Sequence, residues 1–341
     1  MPNVAIIVPA LNESAYIVGC LETLIAQRGC TISDIIVADG GSDDDTVALA
    51  WTVSLRDHRV RVVDNPGCIQ AAGFNTAAAL ADPGADILVR ADAHVTYAPD
   101  FVAKCLAAMA AQDATTVVVP MRTVARAGEG FQRAVAAAQN NRLGNGGAPH
   151  RARGASGLVA HGHHAVFDRA FFDRLGGYDT RFSHNEDAEF DVRAHRAGGR
   201  IWMCAEARVD YYPRGTMRGL VRQYAHNGRG RARTLLLHRL RPGPRQMAPA
   251  LLLPLLAACC LLAPLWPPLA LAPLAYAAAC LCTGLAMAVG RRDVWLLAVG
   301  PAAMMMHAGF AWGYATQLLD RHNRAGRAAP RLPVGSPLGA P

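Results

Sequence analysis

Between Tyr211 and Arg292 the chain carries no aspartate or glutamate, and from residue 247 to residue 290 it carries no charge of either sign. An uncharged, largely apolar stretch of that length is about twice what one helix needs to cross a bilayer. Residues 1–210, by contrast, mix charged and apolar runs in the manner of a soluble protein. The nine cysteines include no C-x-x-C pair, which argues against structural zinc and thioredoxin-like redox chemistry. Cys20, Cys30, Cys68, Cys105 and Cys204 are scattered, and Cys259, Cys260, Cys280 and Cys282 fall inside the apolar stretch, so no disulfide framework is expected. A secretory leader is not expected either, because the apolar run Val4–Val8 is short and has no basic residues before it. The glycines form neither G-x-G-x-x-G nor a Walker A loop, so the ordinary dinucleotide and P-loop readings fail.

What the chain does have is local. Its net charge of +8 is concentrated in nine arginines from Arg214 to Arg245, just ahead of the apolar stretch. No zinc-finger spacing, RNP-type aromatic pattern or helix-turn-helix accompanies them, so nucleic acid is not the expected partner. A basic segment abutting a membrane span reads instead as facing anionic lipid on the cytoplasmic side. Residues 247–268 and 269–290 are expected to form two spans with a turn near Pro264–Pro268, returning Arg291 and Arg292 to the starting side. A third apolar stretch, 294–319, carries Gly300-Pro301 and His307. If it spans fully, Arg321, Arg324, Arg327 and Arg331 emerge on the far side, against the positive-inside tendency; a re-entrant or interfacial segment resolves that conflict. His307 is expected to be a packed or helix-bonding residue. The organisation is therefore a domain at 1–210, a basic interfacial helical segment at 211–246, membrane segments at 247–320 and a disordered tail at 321–341, rich in Pro, Gly and Ala from Ala328.

Within the first 210 residues, Val4–Pro9 reads as a buried strand followed by the loop Ala10-Leu11-Asn12-Glu13-Ser14, then an amphipathic helix from Ala15 to Gln27. Asp34–Ala38 is a second apolar run, closed by Asp39-Gly-Gly-Ser42-Asp-Asp44, whose residues suit a turn and a helix N-cap. A helix to about Ser54 and a short strand at Val60–Val63 follow. Strands alternating with helices predict an open parallel α/β sheet. In such sheets ligands lie outside the carboxyl ends of the strands. Three of those ends carry polar residues: Asn12 and Glu13, Asp39, and Asp92 with His94.

The last of these ends Ile87-Leu-Val-Arg90-Ala-Asp92-Ala-His94. Read as a strand, it puts Asp92 and His94 on one side, since strand side chains repeat every two residues. A carboxylate and an imidazole so placed can hold a divalent cation, and the cation a phosphate. The alternative is a turn cap at Asp92 and a surface histidine.

Val4–Glu13, Val37–Thr46 and Arg90–His94, taken in order with Gly176-Gly-Tyr-Asp179 and Asn185-Glu186-Asp187, resemble family 2 glycosyltransferases of the GT-A fold. Asp-x-His stands where that family usually has Asp-x-Asp, and this version resembles its succinoglycan-biosynthesis, ExoA-like branch. The resemblance covers roughly residues 4–235. It implies a nucleotide-sugar site built from Pro9, Ala10, Asn12, Glu13, Asp39, Arg90 and Asp92, with Asp39 accepting from the base or ribose. Asp92 and His94 are implied to bind Mn2+ or Mg2+, and imidazole favours Mn2+. Arg90 either touches the donor or pairs with a local carboxylate. Asp187 is implied as the general base that takes the acceptor proton, with Glu186 supporting the acceptor or the loop; without the family, this pair reads as favourable charge at a helix N-terminus. The resemblance also implies inversion at the anomeric centre.

His161-Gly-His163-His164 lacks standard zinc spacing, and His164 is a candidate acceptor-side or supporting residue. The Arg151–Gly157 loop either closes over the donor or is a solvated connection. Membrane-bound relatives carry Gln-x-x-Arg-Trp. Here Gln223 matches, but His226 and Asn227 replace the arginine and tryptophan, which argues for a single transfer over polymerisation. Arg222, Arg229 and Arg231 read as lipid-facing charges or phosphate contacts. The expected protein is a multi-pass enzyme of the bacterial inner membrane with its catalytic domain in the cytoplasm, moving sugar from a UDP-sugar to a lipid-linked saccharide or glycolipid. The rivals are a processive polysaccharide synthase and a non-catalytic, membrane-anchored sugar-nucleotide-binding protein.

Overall fold

The computed structural model describes residues 2–146 and 155–320. The tail 321–341 and most of the Arg151–Gly157 loop lie outside the described residues. The described residues form eleven strands: β1 (Asn3–Ala10), β2 (Thr31–Asp39), β3 (Val60–Asp64), β4 (Ile87–Arg90), β5 (Val95–Thr96), β6 (Thr116–Val119), β7 (Met121–Thr123), β8 (Gly157–Leu158), β9 (His163–Asp168), β10 (Ile201–Met203) and β11 (Val209–Tyr211). Eight form one sheet in the order β3-β2-β1-β4-β9-β6-β10-β8, and β5-β11-β7 form a second.

β1 to β4 pair in parallel, as the alternation of apolar runs and helices predicts. The sheet as a whole is not parallel, and that expectation is corrected: β9 runs antiparallel to both β4 and β6. The register of β6 against β9 shifts between Val117 and Val118, passing over Ala165. This bulge changes the pleat. Phe167 and His164, three residues apart, consequently turn to the same side, with ring centroids 5.0 Å apart.

Helices α1 (Ile17–Ile25), α2 (Thr46–Ser54) and α4 (Phe101–Gln112) enclose one face of the sheet with α3 (Gln70–Leu80) on the other. The β1 and β2 side chains are buried on both faces, which is why these strands read as unbroken apolar runs. The second face is aromatic: Phe74, Phe167, Phe172, Tyr178 and Phe190 pack edge-on and stacked with centroids 5.1–6.0 Å apart. Their contacts join α3, α7 (Arg169–Arg174) and α8 (Glu186–Arg196) to the sheet.

α5 (Gly130–Gln139) and α6 (Arg142–Asn145) lead away from the sheet to meet the C-terminal helices α9 (Met217–His238), α10 (Pro244–Leu262), α11 (Leu271–Arg291) and α12 (Val299–Leu319). Thr216 caps α9 by accepting from Gly219 N–H at 3.1 Å. By length and composition two segments are able to cross a membrane, Pro267–Arg291 and Val294–Leu319. The first apolar stretch instead ends its helix at Leu262, after Pro249 and Pro254.

α12 does not stand apart from the arginine-rich helix. A Cβ at Gly313 would lie 1.8 Å from the Ala225 carbonyl oxygen, and one at Gly228 would lie 2.1 Å from that of Phe310. With Gly309 close to Val221 and Tyr224, these contacts advance together along both chains, so α9 and α12 run side by side in the same direction. His307 ties this unit together: Nδ1 meets the Tyr276 hydroxyl and Nε2 the Leu143 carbonyl, each at 2.8 Å.

Candidate active site

The loops after β1 and β2 interlock. Pro9 and Ala10 pair with Ala38 and Asp39 in the last register of the two strands. Asn12, with φ of +55°, accepts from Asp43 N–H at 2.9 Å and donates its own N–H to Ser42 Oγ at 2.9 Å. Glu13 N–H donates to Thr46 Oγ1 at 2.7 Å. Asp39 is buried, and its carboxylate accepts from the N–H groups of Gly41 and Ser42 and from the Ser42 hydroxyl, at 2.9, 3.0 and 2.6 Å. The residues assigned to the nucleoside side thus form one hydrogen-bonded cradle.

β4 stops at Arg90, so Asp92 and His94 belong to the turn between β4 and β5 and not to the strand. Strand periodicity therefore does not place them; separate partners do. Asp92 is buried, accepts from Gln70 Nε2 at 2.8 Å and Arg90 Nε at 3.4 Å, and faces His163 Nε2 at 3.6 Å. Burial pushes its carboxyl up, but Arg90, His163 and His94 outweigh it and hold Asp92 at about 2. His94 presents Nδ1 to Glu13 Oε1 at 2.9 Å. Burial disfavours its charged form, yet the bond and charge of Glu13, with Asp92, raise its pKa.

These residues fit a divalent cation. A metal-binding histidine commonly gives its other N–H to a carboxylate, which fixes tautomer and ring orientation. Glu13 does this to Nδ1 and leaves Nε2 for a ligand. Among the described residues no three His, Cys, Asp or Glu side chains converge as a complete metal cage. A cation that bridges a diphosphate needs only one or two protein ligands, since phosphate oxygens and water fill the rest.

Arg90 is buried and committed to protein partners: Nη1 lies 3.0 Å from Glu186 Oε1 and 3.2 Å from the Tyr178 hydroxyl, and its guanidinium stands 5.6 Å from the Tyr178 ring centroid. Of the two readings of Arg90, the structure displays the carboxylate pairing. Glu186 and Asp187 open α8 after Asn185, whose φ is +67°. Glu186 is buried and Asp187 half-buried, so Asp187 is the member of the pair open to a substrate. Burial pushes both carboxyls up. The fields of His161, His164 and Arg90, with the Ala188 N–H bond, bring Asp187 below the usual carboxylate range, whereas Asp187's charge helps keep Glu186 raised.

His164 is fully buried, with Nδ1 on the Tyr178 hydroxyl at 2.7 Å and Nε2 on Asp191 at 2.8 Å. Of the two roles assigned to it, this arrangement is the supporting one. Asp191 also meets His161 Nδ1 at 2.7 Å. A continuous chain therefore runs from the partly exposed His161 into buried Asp191, His164 and Tyr178 to Arg90, and from there to Asp92 and Glu186. Gln70 and Asp191 were not singled out by sequence, and Tyr178 and His163 stood there only as members of the Gly176–Asp179 and His161–His164 motifs, with no role of their own. The His161–His164 cluster was the available signal for His163, but the partners come from distant segments. Gln223 donates to the Tyr211 hydroxyl at 2.8 Å from α9, and its Oε1 is buried without a partner among the described residues.

The family model "Glycosyl transferase family 2" matches residues 5–176. Over 320 residues the chain is 41% identical to succinoglycan biosynthesis protein ExoA of Rhizobium meliloti (strain 1021), covering 94% of this chain and 96% of that one. Mannosyltransferase PcManGT from Pyrobaculum calidifontis, solved in complex with GDP-Man and Mn2+, is similar with a TM-score of 0.56 at 22% identity, over 91% of this chain and 87% of that one. The second likeness is one of fold.

Proposed function

The chain belongs to glycosyl transferase family 2 and has its GT-A fold, and on that premise we propose an inverting transferase of exopolysaccharide biosynthesis that moves a sugar from a nucleotide-sugar, preferably a UDP-sugar, to a hydroxyl of a lipid-linked saccharide. The observation that carries this reading is the Arg90 junction, which couples the carboxylate of a diphosphate–metal site to the helix bearing a candidate base. Asn12, Glu13 and Asp39 line the nucleoside side. Asp92 and His94 are the residues that would hold Mn2+ or Mg2+, which would supply Lewis-acid neutralisation of negative charge on the diphosphate. Asp187 takes the proton of the attacking hydroxyl, and direct attack opposite the leaving group inverts the anomeric centre. Glu186, neutralised by Arg90, keeps the start of α8 in place.

The apolar helices and the basic α9 support a location on the cytoplasmic side of a bacterial inner membrane. The test is metal-dependent nucleotide release from a panel of UDP- and GDP-sugars by the full chain, with membrane lipid extract as acceptor. Extract-stimulated release from one UDP-sugar, with label transferred to lipid, is the expected result. Absence of transfer from every donor with Mn2+ and Mg2+ would overturn the reading.

A further inference from the structure

α9 meets the 182–185 loop at Gly230, where a Cβ would stand 2.5 Å from the His184 carbonyl oxygen and 2.6 Å from Asn185 Cβ. That close approach leaves a cavity of about 60 Å3, lined by Phe182, Ser183, His184, His226, Arg229, Gly230, Arg233 and Gln317. A single water needs about 10–15 Å3 on this measure, so the space matches the few heavy atoms of a phosphate group.

The lining has the chemistry of an anion site. Arg229 has no ion pair among the described residues. Arg233 donates to the Arg181 carbonyl oxygen and stacks on Phe182, 4.9 Å from its centroid. The carboxylates whose charge reaches Arg233 are Asp179, which Arg181 already binds at 2.7 Å, and Asp320. His184 Nε2 and His226 Nδ1 are 2.9 Å apart. The independent observation is Gln317, contributed by α12: it is 3% exposed, lines the cavity, and has a buried amide nitrogen without a hydrogen-bond partner among the described residues.

We propose that this cavity binds a phosphate of the acceptor lipid's headgroup, held by Arg229, Arg233 and Gln317 with the His184–His226 pair. The lipid source is favoured by position. Gln317 belongs to a helix long and apolar enough to enter a membrane, and His184 lies three residues before Asp187 in the chain. A headgroup seated here lies beside the segment that presents the base. The assignment to an acceptor rests on the transferase reading; the anion site itself does not.

The experiment uses the full chain in detergent with UDP saturating the donor site, and follows thermal protection by farnesyl diphosphate, inorganic pyrophosphate and phosphatidylglycerol micelles. Farnesyl diphosphate is expected to bind at least tenfold more tightly than pyrophosphate, and Arg229→Ala and Gln317→Glu are each expected to weaken it at least tenfold. Gln317→Glu keeps the side-chain shape and adds repulsion, so it remains informative if truncation at either position unfolds the chain. Equal affinity for pyrophosphate would replace the lipid with a free phosphate ion, and tighter binding of phosphatidylglycerol would replace the acceptor with bulk phospholipid; either overturns the assignment. Binding unchanged in both variants removes the site. Loss of binding in the variants, in a wild-type chain that transfers no sugar, retains the anion site and removes the transferase reading.

Discussion

Arg90 Nη1 stands 3.0 Å from Glu186 Oε1, and both side chains are buried. The pair joins the end of the strand leading to Asp92 with the first residue of the helix leading to Asp187. Removing one member of a buried ion pair leaves the other uncompensated, at a cost of about 3–5 kcal/mol. Arg90→Met is therefore expected to lower unfolding free energy by about that amount, with Glu186→Gln in the same chain restoring part of it. Denaturant unfolding of the two single variants and the double variant measures the coupling. Additive losses would mean that the pair does not act as a unit.

Asp187→Asn keeps the shape of the side chain and removes its basicity. Transfer is expected to fall by about 10²–10⁴, with donor affinity within twofold of wild type, on the order of 0.4 kcal/mol. Single-turnover kinetics alongside UDP binding separate the two. Retained turnover would exclude Asp187 as the base.

In the proposed metal site Glu13 would act on the cation through His94, whose Nδ1 it meets at 2.9 Å. Glu13→Gln is expected to raise the Mn2+ concentration for half-maximal nucleotide release by about 10–100-fold, and in the wild type EDTA is expected to abolish release and Mn2+ to restore it. His94→Asp is expected to move the preference from Mn2+ towards Mg2+, as carboxylate replaces imidazole. An unchanged Mn2+ titration in Glu13→Gln would disconnect Glu13 from the cation.

Gly313 meets the Ala225 carbonyl with no room for a methyl group. Gly313→Ala is expected to destabilise the full chain by about 1–3 kcal/mol through overpacking, and limited proteolysis is expected to reach the α9–α12 seam sooner. Gly290, where a Cβ meets nothing within 4 Å, is the control position on α11, and Gly290→Ala should leave the cleavage pattern as it is.

His184 has its pKa pushed from 6.5 down to about 4, first by burial and then by the positive fields of His226, Arg214 and Arg222. The unfolded chain therefore takes up this proton near pH 6.5 and the folded chain only near pH 4. Between those values the unfolded state binds more protons, so stability falls as the pH is lowered. Melting curves from pH 7 to pH 4 are expected to show a shallower decline in His184→Gln. An identical decline would assign the acid sensitivity to other groups.

The parallel half of the sheet was readable because strands buried on both faces appear as unbroken apolar runs, and because Asn12, Asp39 and Asp92 follow such runs directly. Asn185-Glu186-Asp187 was readable as a helix start with acidic residues in its first turn. The antiparallel β9 was not, since nothing in His163–Asp168 encodes the direction of its neighbours. The bulge at Ala165 likewise depends on pairing with β6. The Tyr178–Arg90 contact joins residues 88 positions apart, beyond any local pattern. Hydropathy marked 294–319 as apolar but did not register its glycines as a packing surface for a helix full of arginines.

That seam has a mechanical consequence. Asn185, the residue ahead of α8, donates to Thr234 Oγ1 on α9 at 2.8 Å, and α9 packs backbone to backbone along α12 at glycines that have no room for a Cβ. On the proposed membrane location, this seam ties the start of α8, and with it Asp187, to the two helices that are long and apolar enough to enter a bilayer.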